Sequence, residues 1–334
     1  MRVLVTGGAG YIGSHTVREL QRAGYQVTVL DNLSRGHRAV AEVLSGVEFV
    51  WGDTADGELV RVLLRSRGIK AVLHFAALSL VGESVADPAL YYRNNVAGGL
   101  ALLEAVREAG VPYFIFSSSA AVYGEPTQIP IEEDHSLAPF NPYGATKLAF
   151  EEALRWYGEA YGMKFVALRY FNAAGADPEG LMGEDHRPET HLVPAVMEAA
   201  LGRRDAVTIF GTDYPTPDGT CIRDYIHVTD LAAAHVLALK ALADGHPSRV
   251  YNLGNERGAS VREVVETARR VTGREIPVLE GPRRAGDPAV LVASSRRIKE
   301  ELGWRPRYGD LETIIRTAWE WRLGHPRGYD SSRF

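Results

Sequence analysis

The chain is short of cysteine, of lysine and of long apolar runs. Cys221 is its one cysteine, which excludes an intrachain disulfide and any Cys-rich metal site; no metal is expected, and Cys221 reads as a small buried filler. Only five of the 37 Lys and Arg residues are lysine, and the net charge is −5. There is no basic excess and no basic run interleaved with aromatics, so no nucleic-acid partner is expected. No apolar run approaches the ~20 residues of a membrane span, and the apolar start at Val3 is too short and too soon interrupted for a signal peptide. A cytoplasmic protein without membrane contact is the expectation. Internal repeats and low-complexity segments are absent too. What is left is ordinary globular composition, 46% hydrophobic and 24% charged over 334 residues, enough for one large or two modest domains.

The stretch Ser117 to Lys147, SSSAAVYGEPTQIPIEEDHSLAPFNPYGATK, ends in Tyr143-x-x-x-Lys147. Residues four apart on a helix lie one turn apart on the same face, so the ammonium can sit near the phenol. A free phenol ionises near pH ~10, but a fixed cation favours the phenolate, which can then take a proton from an alcohol near neutrality. Ser119, on the loop after the apolar run Val111 to Phe116, offers a hydroxyl to the same oxygen. Taken alone this spacing most often marks a solvated helix face, so its meaning rests on what precedes it.

The chain begins MRVLVTGGAGYIGSH, a short apolar strand running into Gly7, Gly10 and Gly13. Glycines so spaced allow a tight turn, close backbone approach to a pyrophosphate and close packing of the next helix, whose N-terminus favours the anion. The spacing is GxxGxxG rather than the commoner GxGxxG. A second strand, Gln26 to Leu30, ends at Asp31, where a carboxylate can bind both ribose hydroxyls and repel a 2′-phosphate. NAD is therefore expected over NADP.

Strands and helices alternate through the first half. After Asp31 come a strand at Val47 to Val50 and Asp53, within reach of an adenine amino group. A helix around Glu58 to Arg67 and a strand at Ala71 to Phe75 follow, the latter delivering HFAA to the cofactor. Then come a helix after Asn94, a strand at Tyr113 to Phe116, the helix Tyr143 to Tyr161 and a strand at Phe165 to Tyr170. The alternation argues for a doubly wound parallel sheet with ligands at the carboxyl ends of its strands. Beyond Asn172 the texture becomes loop-rich, with helices expected at Val193 to Leu201, Leu231 to Ala243, Val261 to Val271, Ser294 to Leu302 and Leu311 to Leu323. Residues Ile222 to Asp230 are expected to contribute a strand and a helix start to the first domain. Arg223 and Arg284 offer planar forks for phosphate oxygens, Asn172 an amide donor, and Asp287 an acceptor for a ribose hydroxyl. Two arginines in so arginine-rich a chain carry little by themselves. His74, ahead of the phenylalanine of HFAA, reads as a core or supporting histidine rather than a catalyst.

TGGAGYIGSH, HFAALSLVGES, YYRNNV, FSSSAAVYG, NPYGATK, LRYFNAAGA, GTCIRDYIHV, YNLG and PRRAGDP together resemble the motif series of the extended short-chain dehydrogenase/reductase family, and within it the members that epimerise UDP-hexoses. They spread from Val3 to about Ala293. The resemblance implies an α/β fold: a Rossmann domain over residues 1–172, with a return around 222–240, and a smaller α/β UDP-sugar domain over 173–334. It implies an isomerase that interconverts UDP-galactose and UDP-glucose in galactose metabolism, by transient C4 oxidation with tightly bound NAD, rotation of the 4-ketose and return of hydride. Tyr143, Lys147 and Ser119 fall on the catalytic positions. Gly7, Gly10, Tyr11, Ile12, Gly13, Asp31, Asn32, Ser34, Gly36, Asp53, Thr54, Phe75, Ala76, Ala77, Ser79, Asn94, Ser117, Tyr143, Lys147 and Tyr170 fall on the cofactor positions; Ser79 stands where some members carry a lysine. Ser119, Tyr143, Phe171, Asn172, His191, Leu192, Thr208, Phe210, Arg223, Tyr225, Arg284, Asp287 and Leu291 fall on positions that contact the UDP-hexose. A homodimer through the helices after Asn94 and Tyr143 is implied as well.

Two other readings share the fold. A nucleotide-sugar 4,6-dehydratase carries an Asp-Glu pair after the hydroxyl residue, whereas Ser119 is followed by Ala120 and Ala121. A non-enzymatic NAD-binding sensor generally loses the tyrosine or the lysine, and this chain keeps both.

Overall fold

The apolar start of the chain forms β1 (Arg2–Thr6), in which Val3, Leu4 and Val5 are fully buried. A computed structural model describes residues 1–284 and 287–329. After β1 come β2 (Gln26–Asp31), β3 (Glu48–Trp51), β4 (Ala71–His74), β5 (Tyr113–Ser119) and β6 (Lys164–Tyr170), then β7 (Asn172–Ala174), β8 (Val207–Phe210), β9 (Ile222–His227) and β10 (Arg249–Leu253). Seven of these form one parallel sheet in the order β10-β6-β5-β4-β1-β2-β3. The chain winds outward from β1 one way through β2 and β3 and the other way from β4, so a crevice opens between β1 and β4 at their carboxyl ends.

Both faces of the sheet are covered, and side chains alternate between them with the period of a strand. Val3 and Val5 pack with Leu168, Leu231, Ala238 and Leu242 on one side; Leu4 packs with Leu63, Leu102, Phe114 and Phe150 on the other. Each large aliphatic side chain so buried contributes roughly 1.5–3 kcal/mol.

The helix bearing Tyr143 spans Pro142–Tyr161, and its ends are fixed locally. Asn141 Oδ1 accepts from Gly144 N at 2.8 Å, Pro142 takes the first turn, where no donor is needed, and Gly162 closes the helix at φ 71°, a left-handed position that suits glycine.

Beyond β6, β9 gathers β7, β11 (Gly258–Ser260) and β13 (Val290–Leu291) into a four-stranded sheet, and β8 pairs with β12 (Val278–Gly281). The helices Leu192–Ala200, Val261–Thr272 and Leu311–Gly324 supply a separate core through Val193, Val196, Val264, Ile314 and Ile315. The strand read at 222–227 therefore does not join the first sheet. Its neighbours β11 and β13 occupy its two edges, with β7 paired further along it, and it is the following helix, Val228–Ala243, that packs back on the large sheet. The strand that does return is β10, which pairs with β6 at the sheet edge.

Candidate active site

The expected cofactor residues stand at the carboxyl ends of the first sheet's strands. Gly7, at φ +74°, lies so close to the loop after β4 that a Cβ there would meet Ala76 N at 2.6 Å; one on Gly13 would meet Gly7 O at 2.1 Å. The turn is thus a cradle that only glycine leaves open, beneath the N-terminus of the Tyr11–Arg22 helix, which begins with Tyr11, Ile12 and Gly13 and has no side-chain cap. Tyr11 directs its hydroxyl to Gly175 O at 2.6 Å.

Asp31 ends β2, buried, with Oδ2 accepting from Ala9 N (2.9 Å) and Oδ1 from Leu33 N (2.8 Å). Burial raises its pKa against the pull of these two bonds. Each oxygen keeps a lone pair for a further donor. Asn32 bridges to Asp53 at 2.8 Å, Ser34 N caps onto Asn32 Oδ1, and a Cβ on Gly36 would touch Asp31 Oδ1 at 3.0 Å. Asp53 and Thr54 follow β3, and Phe75, Ala76, Ala77 and Ser79 follow β4. His74 bonds Thr6 Oγ1 at 2.7 Å and is stacked on Phe116, and burial takes it down to about 3, which leaves it a neutral core residue.

Ser117 and Ser119 end β5, with Tyr143 and Lys147 facing them from the next helix. Lys147 is buried and donates from Nζ to Ser117 O at 2.8 Å; its ammonium lies 5.8 Å from the Tyr143 ring centroid. Burial lowers Lys147 to about 7, with the Glu151 carboxylate pushing back up. Burial also raises the Tyr143 phenol, and a hydrogen bond with Ser119 pulls it down. Ser119 is thus the group that hydrogen-bonds the phenol directly, while Lys147 places one of its three donors on a backbone carbonyl and keeps its ammonium one helical turn from the ring. Tyr170, at the end of β6, bonds His235 and Ser117.

Asn94 lies in a π-helical turn, Tyr92–Gly98, a distortion often found at functional sites. Its neighbour Asn95, absent from the sequence expectations, is the buried one: Oδ1 accepts from Leu78 N (2.9 Å), and Nδ2 donates to Leu78 O (3.0 Å) and Thr146 Oγ1 (3.1 Å). It ties the loop after β4 to the Tyr143 helix. Also missed was Glu151, one turn beyond Lys147, which receives Ser118 Oγ and both arms of Arg169 (2.6 and 3.0 Å) with almost no exposure. An acid four residues past the lysine was the available signal.

The expected sugar-nucleotide groups divide among three places. Asn172 is paired in register with Tyr225, and Arg223, on β9, is ion-paired with Asp287 and adjoins Leu291 in register on β13. Leu291 and the buried Phe171 share an apolar cluster with Ala120 and Val122, the residues just past Ser119. Thr208 and Phe210 sit on β8, where Arg284 lies over the Phe210 ring at 4.1 Å. His191, just before Leu192 and its helix, is turned to Glu184 at 2.5 Å; burial works against its charge, but that carboxylate lifts it to about 9.

A glycine cradle at a switch point, with Ser, Tyr and Lys on the adjoining strand and helix, defines a dinucleotide-dependent short-chain dehydrogenase/reductase. Its chain belongs to the NAD dependent epimerase/dehydratase family, whose model matches residues 3–254. It is 55% identical over 331 residues to the UDP-glucose 4-epimerase of Halalkalibacterium halodurans, covering 99% of this chain and 98% of that one. The structure of UDP-glucose 4-epimerase from Brucella ovis in complex with NAD is 52% identical, with a TM-score of 0.92 over 95% of this chain and 97% of that one. That of the Bifidobacterium longum enzyme in complex with NAD+ and UDP is 39% identical, with a TM-score of 0.93 over 98% and 100%.

Proposed function

We propose that this protein interconverts UDP-galactose and UDP-glucose as an NAD-dependent isomerase. The observation that carries this is the Ser119–Tyr143 hydroxyl pair backed by Lys147, with Ala120 and Ala121 where a dehydratase needs an acid and a base. The Gly7–Gly13 cradle fits a dinucleotide pyrophosphate, and Asp31 fits an unphosphorylated ribose. Bound NAD supplies the hydride acceptor and the positive charge of its oxidised ring. Tyr143 takes the proton from the hexose 4-hydroxyl, Ser119 hydrogen-bonds that oxygen, and the buried charge of Lys147 favours the phenolate. Inversion without net oxidation requires the sugar to turn while its nucleotide stays anchored. Arg223, Arg284, Asn172 and Asp287 are suited to that anchoring, since Arg forks grip phosphate from two nitrogens. The test is direct: purified protein incubated with UDP-galactose should yield UDP-glucose without added oxidant. Release of water to a 4-keto-6-deoxy sugar instead would establish the dehydratase reading, and no turnover the sensor.

We place the protein in the cytoplasm, a reading suited to nucleotide-bound substrates and a lone unbridged cysteine. A homodimer is part of the same proposal. Leu100, Trp156 and Tyr161, along the two helical segments after Asn94 and Tyr143, are all more than a third exposed, and exposed large apolar side chains of this kind suit an interface.

Leu291 bears on substrate breadth. We place it at the C2 side of the hexose, beside Phe171. Leucine fills less space than tyrosine, and a partly filled apolar pocket discriminates by only ~1–3 kcal/mol, so UDP-N-acetylglucosamine should be used roughly 10- to 200-fold less well than UDP-glucose. Leu291→Tyr should widen that gap. A comparison of kcat/KM on both substrates decides it: a wild type indifferent to the acetyl group, or a variant with an unchanged ratio, would remove Leu291 from the pocket.

A further inference from the structure

Residues 184–191, just before the Leu192–Ala200 helix, read Glu-Asp-His-Arg-Pro-Glu-Thr-His, and five of the eight are metal-ligand types. One ligand atom from each of Glu184, His186, Glu189 and His191 lies within 4.8 Å of the others. His191 Nδ1 is 2.5 Å and His186 Nδ1 3.2 Å from the same oxygen, Glu184 Oε1, and the two rings meet edge to face at 5.2 Å. Four ligands held tetrahedrally about 2.1 Å from a zinc ion stand about 3.4 Å apart, so side-chain rotations within the loop suffice to close the set.

The plainer reading is a group of two imidazoles and two carboxylates that satisfy one another. His186 fits it poorly. Its Nδ1 is buried and lies 3.2 Å from Glu184 Oε1 and 3.8 Å from Glu189 Oε2, but out of line for a good hydrogen bond with either. A buried nitrogen that meets its carboxylates without a well-aligned hydrogen bond forfeits part of their stabilisation, and one set among two carboxylates and a second imidazole is a donor atom in place for a cation.

The surroundings hold the loop in shape. Glu189 accepts from His191 N (2.9 Å) and His186 N (3.3 Å), while Arg322 donates to Glu184 O (3.1 Å) and Arg204 to Glu189 O (3.0 Å). Bonds of this kind orient ligands before a metal arrives. Glu184 itself is almost fully buried. Two imidazoles with two carboxylates suit zinc among divalent ions and disfavour calcium, which takes oxygen alone; the two carboxylate charges balance the ion's.

We propose that Glu184, His186, Glu189 and His191 form a structural binding site for a divalent transition metal of the zinc class, closed by four protein ligands. The site pins the loop that delivers His191 and Leu192 to the second domain, and His186 packs edge-on against Tyr11 of the glycine turn. His191 also falls on an expected UDP-hexose position, so the site adjoins the substrate pocket; its test is still separate from the reaction, because its readout is metal binding.

The experiment uses the tag-free full chain, dialysed against chelator and titrated with zinc chloride alone by calorimetry, with cobalt(II) as an optical probe. One equivalent of zinc should bind and raise the melting temperature, and cobalt should give the visible absorption of a tetrahedral site. His186→Ala and Glu189→Gln should each weaken zinc binding at least ~100-fold, beyond what outer partners are worth, and abolish the cobalt spectrum. Circular dichroism of the metal-free variants establishes that they are folded, and if His186→Ala is not, Glu189→Gln alone carries the test. No zinc bound at 100-fold excess over protein would overturn the proposal. So would binding that both variants retain, or binding at several equivalents without the cobalt band.

Discussion

Tyr143→Phe is expected to lower turnover on UDP-galactose by at least ~10²-fold, the scale of a lost general base. The substitution removes one oxygen and little else. The ring keeps its edge contact with Tyr91 at 6.5 Å, the backbone N of residue 143 keeps Ser84 Oγ at 3.2 Å, and Lys147 keeps Ser117 O. The fold should therefore survive, and KM should change far less than kcat, because the groups proposed to anchor the nucleotide lie on other elements. Ser119→Ala should also slow the reaction, but its reading is less clean. Ser119 Oγ accepts from Ala121 N at 3.1 Å, so its loss also frees the turn after β5. A Tyr143→Phe enzyme that kept more than about a tenth of the wild-type rate would show that the proton leaves by another group.

Most of this site was legible because its residues are spaced by local geometry. The glycines of the first turn, the acid at the end of β2, and tyrosine and lysine one helical turn apart are patterns within twenty or so residues. The structure sets them at the strand ends where a doubly wound sheet places ligands. Partners chosen across the chain were not legible. β9 takes β7 and β11 rather than the large sheet, because edge pairing depends on which strands lie alongside after folding. β10 is five residues between a helix and a loop, and its place beside β6 is set by the helix that carries it back. Lys147 is bound by a backbone carbonyl, which has no sequence signature. The two arms of Arg169 and the ion pair of Arg223 with Asp287, 64 residues apart, likewise join distant points. The Glu184 loop is the opposite case: its ligand types lie within eight residues, yet two-residue and three-residue spacings in a loop acquire meaning only once the backbone turns them inward.

Arg169→Met should destabilise the protein by about 3–5 kcal/mol, the cost of leaving a buried carboxylate without its partner, and the melting temperature should fall by roughly 5–10 °C. Arg169 and Glu151 are only 4% and 6% exposed, and the guanidinium spans Glu151, the Tyr123 hydroxyl (2.8 Å) and Glu133 O (3.1 Å). Tyr123 in turn donates to Asn252 Oδ1 at 2.6 Å, so the network joins β6, the loop after β5 and β10. Its size depends on which partner is removed. Replacing both charges, as Arg169→Met with Glu151→Met, should recover much of the loss, since a matched apolar pair avoids the desolvation of both ions. The pair also reaches the chemistry, because the Glu151 carboxylate supports the charge on Lys147, which burial lowers to about 7. Without that carboxylate Lys147 should lose its proton at lower pH, so in Glu151→Gln the alkaline fall of kcat should begin earlier than in the wild type. A Glu151→Gln enzyme with an unmoved pH profile would confine Glu151 to stability. An Arg169→Met protein as stable as the wild type would show that the buried carboxylate finds its compensation elsewhere, in Ser118 or by taking up a proton.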